Sequence, residues 1–246
     1  MHSAEPPPRR SVVTALWRGP AGAFAGAALA MALGVALVAG LIADGRAAAL
    51  PVLGFVLAAC GAWAAFAQGW TATRLGPGNA VTIARLALVS LLLAPLVSPG
   101  LTTGASGWAL FALALGCLAL DGLDGALARR SGLAGPWGAR FDMEVDSAFG
   151  LILAAVAWRS GAAGPWVLLL GSMRYVFLLA MLVWPWLGAP LPERLRRKVI
   201  CVVQIAALAL LLMPIASAWT SAAALIALGL LAGSFAADIL WLARRR

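Results

Sequence analysis

Charge is what this chain of 246 residues has least of: only 11% of it is Asp, Glu, Lys or Arg, against 63% hydrophobic residues. A soluble domain carries about 25% charged residues, so a water-soluble globule is excluded. Intrinsic disorder is excluded too, because it needs low hydrophobicity. A single histidine, His2, lies in a polar N-terminal stretch, which removes histidine-based catalysis and His-rich metal sites. The three cysteines, Cys60, Cys117 and Cys201, are isolated within apolar runs and lack metal-ligand spacing. They read as small buried residues rather than a disulfide framework. What is left is a polytopic membrane protein.

Long apolar runs are abundant. A membrane-crossing helix needs about 20 apolar residues, and eight segments qualify: 21–43, 47–69, 79–98, 107–128, 143–159, 164–186, 199–218 and 221–242. Backbone polar groups in lipid must be satisfied within each span, so these are predicted helices. No period-two alternation suggests a β-barrel. The expected fold class is therefore all-α integral membrane, with eight transmembrane helices. Residues 1–20 form a polar tail; the run after Arg18 is too long for a signal-peptide core and reads as a retained anchor.

The 18 basic residues outnumber nine acidic ones, a net charge of +9. In a soluble protein that excess would suggest nucleic acid. Here it sets topology instead. With a cytoplasmic N-terminus, that side receives Arg9, Arg10, Arg18, Arg74, Arg129, Arg130, Arg140, Arg194, Arg196, Arg197, Lys198, Arg244, Arg245 and Arg246. The other side receives only Arg46 and Arg159. The positive-inside rule then places both termini in the cytoplasm. Tryptophans 17, 70, 108, 158, 166, 184, 186, 219 and 241 fall near span ends, as an interfacial belt requires. No nucleic-acid partner is expected.

Five of the nine acids fall between residues 121 and 146: Asp121, Asp124, Asp142, Glu144 and Asp146. Asp121 and Asp124 are three apart and share a helix face; Asp142 and Asp146 are four apart and share another. A short connection predicts antiparallel neighbouring helices, so the four aspartates can converge at the cytoplasmic edge. Four converging anions at low dielectric repel one another. Pairing with Arg129, Arg130 and Arg140 in a solvated helix-turn-helix is one way to resolve that repulsion. Hard divalent cations such as Mg²⁺ or Mn²⁺ are the other, given oxygen ligands alone. Two such ions could bridge a diphosphate. Gly122, Gly125 and Ala128 would leave the helix face bare for a bulky ligand, and Arg129 would add positive charge for phosphate. Glu144 points away from Asp142 and Asp146, and is expected to pair with a loop arginine rather than join the site.

The window 121–146 resembles the CDP-alcohol phosphatidyltransferase family at every fixed position of D-x2-D-G-x2-A-R-x8-G-x3-D-x3-D: Asp121, Asp124, Gly125, Ala128, Arg129, Gly138, Asp142 and Asp146. Residues 79–85, Asn-Ala-Val-Thr-Ile-Ala-Arg, are similar to the family's N-x-x-T-x-x-R stretch. The resemblance implies a six-helix catalytic core over 74–246, with residues 21–73 an additional two-helix segment. It implies transfer of a phosphatidyl group from a CDP-linked lipid, such as CDP-diacylglycerol, to an alcohol hydroxyl. CMP is released, in phospholipid biosynthesis. Asp121, Asp124 and Asp142 would hold two ions, Mg²⁺ or Mn²⁺. Asp146 would be the general base and would also touch the second ion. Asn79, Gly125, Ala128, Arg129 and Gly138 would line the CDP pocket. Members resembling this chain tend to be homodimers, and the Ala/Gly/Arg-rich composition suits a bacterial inner membrane.

For the acceptor, Arg174 in the sixth span is expected either to bind an acceptor or lipid phosphate or to pair with Asp238. Of the basic run 194–198, Lys198 is the main candidate for a phosphorylated acceptor, the rest serving anionic lipid. Lys198 and Gln204 resemble part of the glycerophosphate-using branch's K-x-K-T-x-x-Q. Ile200 and Cys201 stand where that branch has Lys and Thr, and Ser147 follows Asp146 where it has Lys. The acceptor is not identified. Two other classes compete: a non-catalytic scaffold that keeps the motif, and a cation transporter. A transporter predicts midplane acids and a paired repeat, and the acidic pattern has no second copy.

Overall fold

The computed structural model describes residues 19–69, 74–192, 195–215 and 218–245; the tail, including Trp17 and Arg18, together with Trp70, Arg194 and Arg246, lies outside them. Its main helices are α1 (Pro20–Ile42), α2 (Gly45–Gly69), α3 (Pro77–Leu91), α4 (Gly104–Arg130), α5 (Pro136–Arg159), α6 (Val167–Val183), α7 (Leu195–Leu210) and α8 (Ala218–Ala243). No strand occurs among the described residues. Each helix falls on one of the expected segments, and the boundaries follow proline chemistry. Pro20, Pro77 and Pro136 each open a helix where the missing N–H is harmless. Helix α3 breaks after Leu91 and resumes for one turn, Ala94–Val97, around Pro95.

Five helical stretches are long and apolar enough to cross a membrane: Pro20–Ile42, Gly45–Phe66, Pro77–Val97, Gly104–Arg130 and Ala218–Ala243. Helices α6 and α7 have only 17 and 16 residues. At about 1.5 Å per residue they fall short of a hydrocarbon core of about 30 Å. Helix α5 starts at Pro136, well before the expected Met143, so its N-terminal turns carry Arg140, Asp142, Glu144 and Asp146. Leucines 33, 37, 41, 179 and 182 stand exposed on the outer surface, the pattern expected where lipid replaces water.

Two apolar cores meet near α5. One gathers α4 to α8 around Ala114, Leu153, Leu170 and Leu208. The other joins α1, α2, α3 and the start of α5. Its centre is aromatic: Phe24 lies 5.4 Å from Phe66, 6.0 Å from Trp137 and 5.9 Å from Phe141, ring centre to ring centre. The Trp63 indole also donates to the Ala21 carbonyl at 3.1 Å. The N-terminal pair of helices is thereby fastened to the first turns of the helix that carries Asp142 and Asp146.

Helix α3 is the pivot. It packs against α1, α2, α4 and α5, whereas α4 and α5 scarcely touch. The short connection between those two, in which Gly132 takes φ +68°, reverses the chain, but α3 lies between them. The expected direct α4–α5 pairing is corrected accordingly.

Cysteine burial also needs correction. Cys117 is buried in the core, but Cys60 and Cys201 are exposed on apolar helix faces.

Candidate active site around Arg85

Two glycines let α3 enter the gap. A Cβ on Gly78 would lie 2.8 Å from Ala128 Cβ and 2.9 Å from the Asp124 carbonyl oxygen, so α3 touches α4 there. A Cβ on Gly138 would lie 2.8 Å from Asn79 Oδ1, so α5 approaches α3 on the other side. The packing puts Asn79 against Gly138 and Ala128 against Gly78. Ala128 packs on Gly78 while staying half-buried, so the bare face expected there is covered only in part. Gly122 does have open space around it, while the Arg129 guanidinium folds back over Gly125.

Two turns into α3, Arg85 is fully buried, and its guanidinium meets all four aspartates. Nη1 lies 3.0 Å from Asp121, 2.7 Å from Asp124 and 2.7 Å from Asp142, and Nη2 pairs with Asp146. The Thr82 hydroxyl, one turn earlier, lies 3.2 Å from Asp124 Oδ2 and 3.1 Å from the Gly78 carbonyl oxygen. Neither Arg85 nor Thr82 was assigned a role from sequence. A signal was present: Arg85 is a lone charge in an apolar run, the same ground on which Arg174 was singled out.

The aspartates are not equivalent. Asp124 is buried (3% exposed), whereas the side chains of Asp121, Asp142 and Asp146 are 27%, 34% and 39% exposed. Those three each offer an oxygen within 4.8 Å of the others, a spacing that could hold a metal ion. Asp124 faces inward, onto Arg85 and Thr82, with Oδ1 accepting from the Gly125 N–H at 2.6 Å.

The donor set fits divalent cations on two grounds. It is all carboxylate oxygen, the chemistry hard ions select. One guanidinium also leaves most of the negative charge of four clustered carboxylates uncompensated. The alternative of pairing with Arg129, Arg130 and Arg140 does not occur, since none of these forms an ion pair with a described acid.

The acceptor candidates lie elsewhere. Arg174 pairs with Glu144 and lies 2.7 Å from Met143 Sδ. The expected Arg174–Asp238 pair is therefore wrong, as is a loop-arginine partner for Glu144. Asp238 instead meets Arg196 at 2.8 Å and Arg197 at 3.7 Å, joining α8 to α7. Lys198 is exposed on the first turns of α7. Gln204 donates to the Leu170 carbonyl at 2.6 Å and fixes α7 against α6.

Residues 77–233 match the CDP-alcohol phosphatidyltransferase family, which covers most of the chain and spans α3 through most of α8. The protein belongs to that family. It is accordingly a transferase acting on a CDP-alcohol donor and an alcohol acceptor, in a helical architecture suited to a multi-pass membrane protein. No curated protein and no solved structure shows significant similarity to the chain.

Proposed function

We propose that the protein transfers a phosphatidyl group from a CDP-linked lipid, CDP-diacylglycerol or a close relative, to the hydroxyl of an alcohol, releasing CMP, as a step of phospholipid synthesis. The observation that carries this reading is the meeting of Asp121, Asp124, Asp142 and Asp146 at one half-exposed point within the family-matched region.

Two divalent ions, Mg²⁺ or Mn²⁺, held by Asp121, Asp142 and Asp146, with the inward-facing Asp124 anchoring Arg85 behind them, would neutralise the diphosphate and the charge developing on the entering and leaving oxygens. Asp146, the most exposed of the four, takes the proton from the acceptor hydroxyl. That oxygen bonds to the lipid-bearing phosphorus as the bond to the CMP phosphate oxygen breaks. Asn79, Gly125, Ala128, Arg129 and Gly138 form the CDP-facing wall, with Arg129 as its positive charge. Arg174 and Lys198 are the residues nearest in chemistry to a phosphate-bearing acceptor or lipid. Positioning and charge neutralisation carry most of the rate in phosphoryl transfer, and a cluster fixed by three helices suits that role.

All eight helices cross or enter the membrane in this reading, 21–73 forming an accessory pair and 74–246 the catalytic unit. The site and both termini face the cytoplasm of a bacterial inner membrane, where a nucleotide-activated donor is available. The unit is a homodimer.

The test is direct. Purified protein receives labelled CDP-diacylglycerol, Mg²⁺ or Mn²⁺, and a panel of alcohols, with lipid products read by mass spectrometry. A new phospholipid and stoichiometric CMP are expected with one acceptor. No CMP with any acceptor, although the donor binds, would refute the proposal.

A further inference from the structure

Among the described residues, Arg85 is the largest fully buried side chain. It lies beneath the aspartates: its own side chain is 1% exposed, while Asp121, Asp142 and Asp146 open to the outside. Its Nε has no hydrogen-bond partner, so the guanidinium is oriented by the carboxylates alone. A buried arginine without compensation is very unfavourable, and so are four clustered carboxylates. Each group makes the other tolerable.

We propose that Arg85 is a built-in counter-cation that holds the four carboxylates together when no divalent ion is bound, and that it opposes ion binding electrostatically. This rests on reading the cluster as a metal site. Its contacts are to one oxygen each of Asp121, Asp124, Asp142 and Asp146, so the second oxygens of the three exposed residues are left for ions arriving from outside. Without ions the cluster would therefore stay assembled, and ions would bind to carboxylates already partly neutralised. Ion affinity is moderate as a result, and rises when a diphosphate adds its negative charge. Arg85 is in this sense a positioning residue: it acts through the aspartates and sets how tightly they take their ions.

Two sites coupled by charge influence each other reciprocally, which defines the experiment. Wild type, Arg85→Gln and Arg85→Lys are compared in EDTA and in Mn²⁺, by thermal unfolding and by Mn²⁺ binding followed with electron paramagnetic resonance. In EDTA, R85Q should unfold at a lower temperature than wild type. Saturating Mn²⁺ should raise its midpoint by more than it raises that of wild type, and its Mn²⁺ affinity should be tighter by about tenfold or more. R85K keeps the charge but not the fork geometry and should fall between. An R85Q protein that stays folded only with Mn²⁺ present also supports the proposal, and R85K then supplies the titration.

A purely structural arginine would lower the midpoint equally in EDTA and Mn²⁺, with unchanged or weaker Mn²⁺ affinity, and that result overturns the proposal. If wild type itself shows no Mn²⁺ response, the metal reading fails and this inference with it. If wild type responds and the variants respond equally, only this inference fails.

Discussion

Replacing Gly78 by alanine should damage the site without touching an acidic residue. The new methyl would sit 2.8 Å from Ala128 Cβ, 2.9 Å from the Asp124 carbonyl oxygen and 3.2 Å from the Ala128 amide nitrogen. Carbon atoms pack comfortably at about 3.5–4.0 Å, so the first turn of α3 must retreat from α4 by about 1 Å. Two of the three obstructing atoms are backbone, and no rotamer change relieves them. Overpacking of this kind costs about 1–3 kcal/mol. Thr82 and Arg85 ride on the same helix, one and two turns further on, and their contacts with Asp124 would lengthen. A displacement near 1 Å in a catalytic constellation costs about 100-fold in rate. Gly116→Ala is the control: it is on α4 with no atom within 4 Å of the added methyl, and an alanine there should stabilise the helix by about 0.5–1 kcal/mol. CMP release and thermal unfolding are measured for both. Should Gly78→Ala retain wild-type turnover and stability, the α3 wedge does not position the site and the reasoning fails.

Asp146→Asn should lower turnover by about 100- to 10,000-fold, the usual contribution of a general base, while equilibrium binding of the CDP-lipid persists; a scaffold would be unaffected. Phe24→Ala empties the centre of the aromatic cluster that joins the N-terminal helices to α5. Such a change costs about 3–5 kcal/mol, and limited proteolysis should show earlier cleavage within 43–76; unchanged protection would contradict the staple. Arg174→Gln breaks a pair whose Glu144 side chain is 53% exposed. The unfolding midpoint should hardly move, since exposed pairs contribute about 0–1 kcal/mol. A rise in KM for a phosphorylated acceptor alone would assign Arg174 to acceptor binding, and no kinetic change would leave it a surface tie.

Most helices were legible because apolar runs of membrane length leave little choice, but α5 begins at Pro136, in a polar stretch that hydropathy could not assign. Asp121, Asp124, Asp142 and Asp146 were legible through helical spacing. What lay between them was not. Adjacency in the chain suggested that α4 and α5 pair, whereas the order of helices is set by which surfaces can approach closely. That information resides in Gly78, Gly138 and Asn79, whose significance appears only once partners are known. Arg85 could have been found as a buried charge, but its partners belong to helices 36 to 61 residues away in sequence. Arg174 was legible as a costly intramembrane charge, but Asp238, one of its two expected uses, pairs with Arg196 instead while Arg174 pairs with Glu144. Composition could not assign Cys60 and Cys201, because a lipid-facing surface and a core accept the same apolar neighbours.

The central claim is that these carboxylates hold divalent ions for attack on a CDP-linked lipid. The most direct measurement is CMP release from CDP-diacylglycerol, with the accepting alcohol supplied, in EDTA and after return of Mg²⁺ or Mn²⁺, for wild type and Asp142→Asn. The account predicts release by wild type that stops in EDTA, returns with the ion, and is nearly absent in the variant under both conditions. Release that survives EDTA, or that Asp142→Asn leaves at the wild-type rate, would contradict it.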